Sequence, residues 1–246
     1  MRIWGYWATL VWAFLAFVAS QFLALAILVL LRISDLDSLV NAPFDGKLVT
    51  LFIVIANPIM IAIIALAVLA ARAPLADYLA LVMPPPRYVG IGLVCLVGLI
   101  AIGDTLLYFG GYPLVTPFQV QSYTTAAAQG WLAALWVSAV IVAPAGEEVL
   151  FRGFLFRGWA RSDRAACPAI IIISLLWAAL HVQYDWTGIV QIFVVGLFLG
   201  WIRWRSGSTL LTFFLHALFN VEGTLETVAQ VYFFSAALAL ADRRVR

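Results

Sequence analysis

Charge is scarce in this chain. Of 246 residues only 11% are Asp, Glu, Lys or Arg, 65% are hydrophobic, and the mean hydropathy is +1.06. A water-soluble domain of this length leaves much of its surface in solvent and has no interior large enough for so much apolar side chain. That excludes a soluble enzyme, a nucleic-acid binder and a disordered protein. Cysteine is equally scarce: Cys95 and Cys167 sit in apolar stretches with no CxxC or CxxH spacing, so a disulfide framework or zinc knuckle is without support, and both read as buried small hydrophobes. There is no repeat of fixed period and no low-complexity tract. The first apolar stretch, from about Trp4 to Leu31, exceeds the ~7 to 15 residues of a signal peptide's hydrophobic region and reads as an uncleaved membrane helix.

Apolar runs are what remain to be counted. A bilayer core takes ~20 residues of helix, and in lipid a helix closes its own backbone hydrogen bonds. Spans are expected at about 5 to 31, 48 to 71, 88 to 109, 130 to 160, 166 to 183, 186 to 202, 207 to 222 and 225 to 242. The fold class is therefore an all-α, multi-pass integral membrane bundle of about eight transmembrane helices, a single domain over 1–246. If the source is bacterial, the membrane is the inner or plasma membrane. The segment between Arg72 and Tyr88 suits a short interfacial helix.

Basic residues test that count independently. With the N-terminus cytoplasmic, twelve of the fourteen fall on cytoplasmic segments, leaving Arg32 and Lys47 outside, whereas Asp35, Asp37, Asp45, Asp185, Glu222 and Glu226 fall on external loops. The positive-inside rule asks for such a bias from an even number of spans, with both termini cytoplasmic. Trp4, Trp131, Trp159, Trp186 and Trp204 lie near predicted ends, where an indole keeps its ring apolar and its N–H wet.

Ionisable groups inside lipid are expensive and each needs a reason. Here they are Asp104, Glu147, Glu148, Arg152, His181 and His216, joined by Asn57 and Asn220. Pro144 and Gly146 let the helix kink just before the acids. Glu148 and Arg152 are i,i+4 neighbours that pair directly, while Glu147 points about 100° away and stays free for chemistry. The same spacing puts Trp177 beside His181 and places His216 and Asn220 on one face. Counted from the expected cytoplasmic ends, Glu147, His181 and His216 all lie roughly 15 to 21 Å deep at 1.5 Å per residue. Three helices thus bring polar groups to one level, with Arg152 and Arg157 shallower and lining an aqueous entry.

These three motifs, EExxxR at Glu147, Glu148 and Arg152, WxxxH at Trp177 and His181, and HxxxN at His216 and Asn220, resemble in order and spacing those of the CAAX protease and bacteriocin-processing enzyme family. That family, also called CPBP or Abi, includes the type II CAAX prenyl endopeptidases. The resemblance covers about residues 130 to 222, the expected catalytic core. It implies an intramembrane endopeptidase with Glu147 as general base, His181 orienting or activating the water, and His216 and Asn220 stabilising the oxyanion. Glu148 and Arg152 would hold the site together. Trp177 stands where the family more often has Phe.

The chemistry leaves two arrangements open. One is a glutamate-activated water with no cofactor. The other is a divalent metal such as zinc, held by Glu147 or Glu148 with His181 and His216, although no HExxH occurs. The expected partners are the bilayer and a membrane-associated peptide or protein, of which a prenylated CAAX tail is one kind, cut near the cytoplasmic side, and no nucleic acid. Two other classes stay open: a non-catalytic scaffold or immunity protein keeping the fold, and a transporter using Asp104, the glutamates and the histidines.

Overall fold

A run of apolar residues with few charges becomes a helix in lipid because no other segment satisfies its own N–H and C=O groups. The computed structural model describes residues 3–34 and 44–234. Every regular element among them is helical. In chain order these are α1 (Tyr6–Leu30), α2 (Gly46–Ala70), the short α3 (Leu75–Tyr78), α4 (Pro86–Gly110), α5 (Pro117–Ala128), α6 (Leu132–Trp159), α7 (Asp163–Ala179), α8 (Trp186–Ser206) and α9 (Thr209–Ala229). A wider turn over Gln230–Phe234 extends α9. Five of these, α1, α2, α4, α6 and α8, are long and apolar enough to cross a membrane, and the chain is a multi-pass integral membrane bundle.

Side-chain caps set several of the boundaries. Asp45, Ser162, Asp185 and Ser208 each accept from a backbone N–H in the first turn of α2, α7, α8 and α9. Thr116 and Gln119 form a capping box at the start of α5, with Pro117 in the first turn. Gly111 (φ 75°) and Gly207 (φ 71°) end α4 and α8 in the left-handed conformation that costs glycine least.

Consecutive long helices run antiparallel, so the bundle has two distinct ends. At one, the Trp4 indole donates to Ala67 O (2.9 Å), Trp159 to Tyr6 O (3.1 Å), Trp204 to Asp163 (3.3 Å), and the Thr209 hydroxyl to Leu79 O (2.6 Å). Arg72, Arg87, Arg157, Arg161, Arg164, Arg203 and Arg205 gather here, with Arg152 about two turns inward. At the other end Gly46 N–H donates to Thr125 (2.8 Å), Gln129 to Asp45 (2.5 Å), and the rings of Tyr112 and Trp186 meet edge to face at 5.3 Å. Arg32 and Lys47 are the only cations there among the described residues, beside Asp45, Asp185, Glu222 and Glu226.

Several expectations need correcting. The break expected between 222 and 225 does not occur: Thr224 and Thr227 return their hydroxyls to Asn220 O and Gly223 O, and α9 runs straight through. Residues 225–234 of the eighth expected span continue α9, and the remainder of that span, with the arginines at 243, 244 and 246, lies outside the described residues. The expected span 166 to 183 ends at Ala179, so His181 sits in the following turn. Cys95 and Cys167 are exposed on the outer faces of α4 and α7 rather than buried, because in lipid a small apolar thiol faces outward freely. Tyr78 of α3 is buried, and its hydroxyl accepts from Trp4 N–H (3.3 Å).

Candidate active site

The Pro144–Gly146 stretch does not break α6. The helix instead widens into π turns on either side, at Ser138–Val142 and Val149–Leu155, leaving a short α segment, Ala143–Glu148, that carries both acids. Gly146 lets α2 come close: a Cβ there would collide with the Asn57 amide oxygen. That contact places Asn57, one of the polar residues within the apolar runs.

From this segment the two glutamates diverge, as their 100° offset requires. Glu148 turns inward and is 1% exposed. Its Oε1 accepts from Arg152 Nη1 at 2.9 Å and from His216 Nδ1 at 3.0 Å. Arg152, also 1% exposed, reaches Gly196 O with Nη2 (3.3 Å), and its own carbonyl accepts from Arg203 (3.0 Å). Glu148 Oε2 and Arg152 Nε stay buried with no hydrogen-bond partner among the described residues. Arg152 therefore sits in the core and, like Arg157, does not line the cavity described below, contrary to the expected aqueous entry.

Glu147 faces the open side, 23% exposed. The Trp177 indole N–H donates to its Oε2 at 2.6 Å, and His181 Nε2 lies 4.0 Å from the same oxygen. His181 Nδ1 is 2.8 Å from Trp177 O. A carbonyl only accepts, so Nδ1 carries the proton, and in the neutral ring Nε2 is an acceptor aimed at Glu147. Trp177 is the hub: the His181 and His216 rings stand edge to face with it at 5.3 and 5.1 Å, and the Arg152 guanidinium lies over it at 4.4 Å. Asn220 donates one amide hydrogen to Ala139 O (2.8 Å), leaving a second.

Glu147, Trp177, His181, His216 and Asn220 all line one cavity of about 720 Å³. So does Tyr184, which sequence reasoning missed. It follows His181 by three residues in a turn, and nothing in its neighbours marks it. Its ring lies 5.9 Å from that of His181 and 5.6 Å from Phe118. Burial, and then the negative Glu147 carboxylate, push its phenol up to about 12, so it stays a neutral O–H donor beside the site at ordinary pH.

The metal arrangement left open by the sequence does not converge on one point. Glu148 is already engaged by Arg152 and His216, and the Trp177 indole stands between the two imidazoles. Among the described residues, the carboxylate and imidazole atoms that come within 4.8 Å of one another as a trio belong to Asp104, Glu222 and Glu226 instead. These residues do not fit a His₂Glu centre, which needs three ligand atoms around one point. Asp104 is thereby placed, away from the glutamate–histidine cluster.

An apolar helical bundle with carboxylates, imidazoles and an arginine gathered beside an internal cavity defines a membrane protein built around a polar interior site. Residues 129–221, which hold all three motifs, match the family described as type II CAAX prenyl endopeptidase Rce1-like, a family of proteases. An Escherichia coli protein described as an uncharacterized 24.3 kDa protein is 30% identical over 140 residues, covering 55% of this chain and 64% of that protein. The chain thus spans less than two thirds of that relative's length. No solved structure matches the chain.

Proposed function

We propose that this protein is an intramembrane endopeptidase in which Glu147 activates water for attack on a peptide bond. The observation that carries this reading is the pairing of two acceptors across 4.0 Å, Glu147 Oε2 and His181 Nε2, on the wall of a cavity. That gap is too long for a direct hydrogen bond and suits a water donating one hydrogen to each. Glu147 takes the proton as the water oxygen bonds to the carbonyl carbon. It then returns the proton to the amide nitrogen as the C–N bond breaks, leaving a carboxylic acid and an amine, and the acid's proton passes to the amine to give carboxylate and ammonium.

Negative charge developing on the carbonyl oxygen needs donors within reach. Asn220 has a spare N–H, and His216 supplies Nε2–H when its ring is doubly protonated, with Glu148 beside Nδ1 as counter-charge. Glu148 and Arg152 hold His216 in place rather than touching substrate. Membranes holding equal amounts of wild type and Glu147→Ala protein, compared for new peptide termini by mass spectrometry, test the assignment. The expected result is termini that vanish in the variant, with a loss of ~10² to 10⁴-fold in rate if any cleavage persists. Equal cleavage by both proteins overturns it.

A further inference from the structure

The cavity has a direction. From α2 it takes residues between Leu48 and Met60, from α8 only Thr187 to Ile192, and from α9 only His216 to Thr227. Each is the portion near the arginine-poor end. No residue in 61–106, 152–176 or 193–215 contributes to the wall. The most exposed of the lining residues are Pro113, Leu114, Trp136, Leu180 and Val182, all at or within about a turn of that same end. Toward the arginine-rich end the cavity is closed by Leu150, Phe151 and Trp177, backed by Arg152, Phe154 and Tyr78, all buried.

Charge then orients the molecule. Eight described arginines belong to the closed end or lie about two turns inside it, against Arg32 and Lys47 at the open end, and such a bias marks the cytoplasmic side. We propose that the active-site cavity opens on the non-cytoplasmic side of the membrane, so that the substrate is an extracytoplasmic segment of an exported peptide or membrane protein. The access side stands on cavity and charge alone; the substrate class rests in addition on the peptidase reading. It replaces the expectation of cleavage near the cytoplasmic face. Glu147 lies roughly 20 Å along α6 from the open end at 1.5 Å per residue. An extended chain covers that in about six residues at ~3.3 Å each. The scissile bond is therefore about six residues or more from the nearest folded part of the substrate.

Cysteine accessibility tests the access side without needing activity. In a Cys95→Ala, Cys167→Ala background, Val182→Cys and Leu114→Cys probe the opening through two independent positions, and Arg205→Cys probes the closed end. Each is treated with a membrane-impermeant maleimide in spheroplasts and in inside-out vesicles. The expected result is labelling of positions 182 and 114 in spheroplasts and of position 205 only in inside-out vesicles. Labelling of 182 or 114 from inside-out vesicles alone overturns the proposal while leaving the peptidase reading intact. Glu147-dependent termini should map to extracytoplasmic segments, and termini confined to cytoplasmic tails overturn the substrate class. No Glu147-dependent termini at all would sink the peptidase reading, with the labelling pattern still deciding the side.

Discussion

The indole of Trp177 on α7 donates to the Glu147 carboxylate on α6 across 2.6 Å. A Phe at this position would keep the ring and lose the bond. Trp177 is thus more than an aromatic filler: it fixes one carboxylate oxygen, its carbonyl fixes the His181 tautomer, and its ring separates the two histidines.

Trp177→Phe should fold, because the ring contact with Arg152 survives, yet turn over substrate more slowly. A hydrogen bond to a charged group contributes about 1.5 to 3 kcal/mol, and each 1.36 kcal/mol is tenfold in rate. The expected drop in kcat is therefore on the order of ten- to a hundredfold with KM little changed. Kinetics on a substrate identified by terminus mapping checks this; an unaltered kcat rejects the positioning role.

Arg152→Ala should chiefly destabilise. It strands the Glu148 carboxylate, 1% exposed, without its cation and with His216 still bonded to Oε1. Breaking a buried pair from one side costs about 3 to 5 kcal/mol. Replacing both, as Glu148→Met with Arg152→Met, should restore part of the loss in thermal unfolding in detergent but no activity, since His216 then lacks its acceptor. A double variant less stable than Arg152→Ala contradicts the burial argument.

Tyr184 supplies a pH signature. Its ordinary value is 10.0 and burial raises it to about 12 in the folded protein. Below pH 10 the phenol is neutral folded or unfolded and adds no pH dependence. Between pH 10 and 12 the unfolded state ionises first, so it binds fewer protons and stability falls. Unfolding of wild type and Tyr184→Phe compared at pH 9 and 11 should show the variant losing less over that interval. Parallel losses would argue against the burial of this phenol.

Much of the site was legible in the sequence because it lies on helix periodicity. Glu148–Arg152 and His216 with Asn220 are each four residues apart on one helix, while Trp177 and His181 keep that spacing across the end of α7 and still bring their rings together. What periodicity does not report is a connection between helices. The Glu148–His216 bond spans 68 residues and the Glu147–Trp177 bond 30, and neither has a local signal. Breaks were misread for a related reason. The polar residues between Glu222 and Glu226 look like a loop in a hydropathy profile, but in α9 they satisfy themselves along the helix.

The sequence by itself determined that this chain lives in a membrane, that it is built of helices, and which few ionisable residues had to be explained, because lipid tolerates neither unpaired backbone nor idle charge. Only the tertiary structure decided which glutamate is sealed in the core and which faces the cavity, and that the cavity opens away from the arginines. Those facts depend on how helices far apart in the chain pack their faces together, and hydropathy has no term for that.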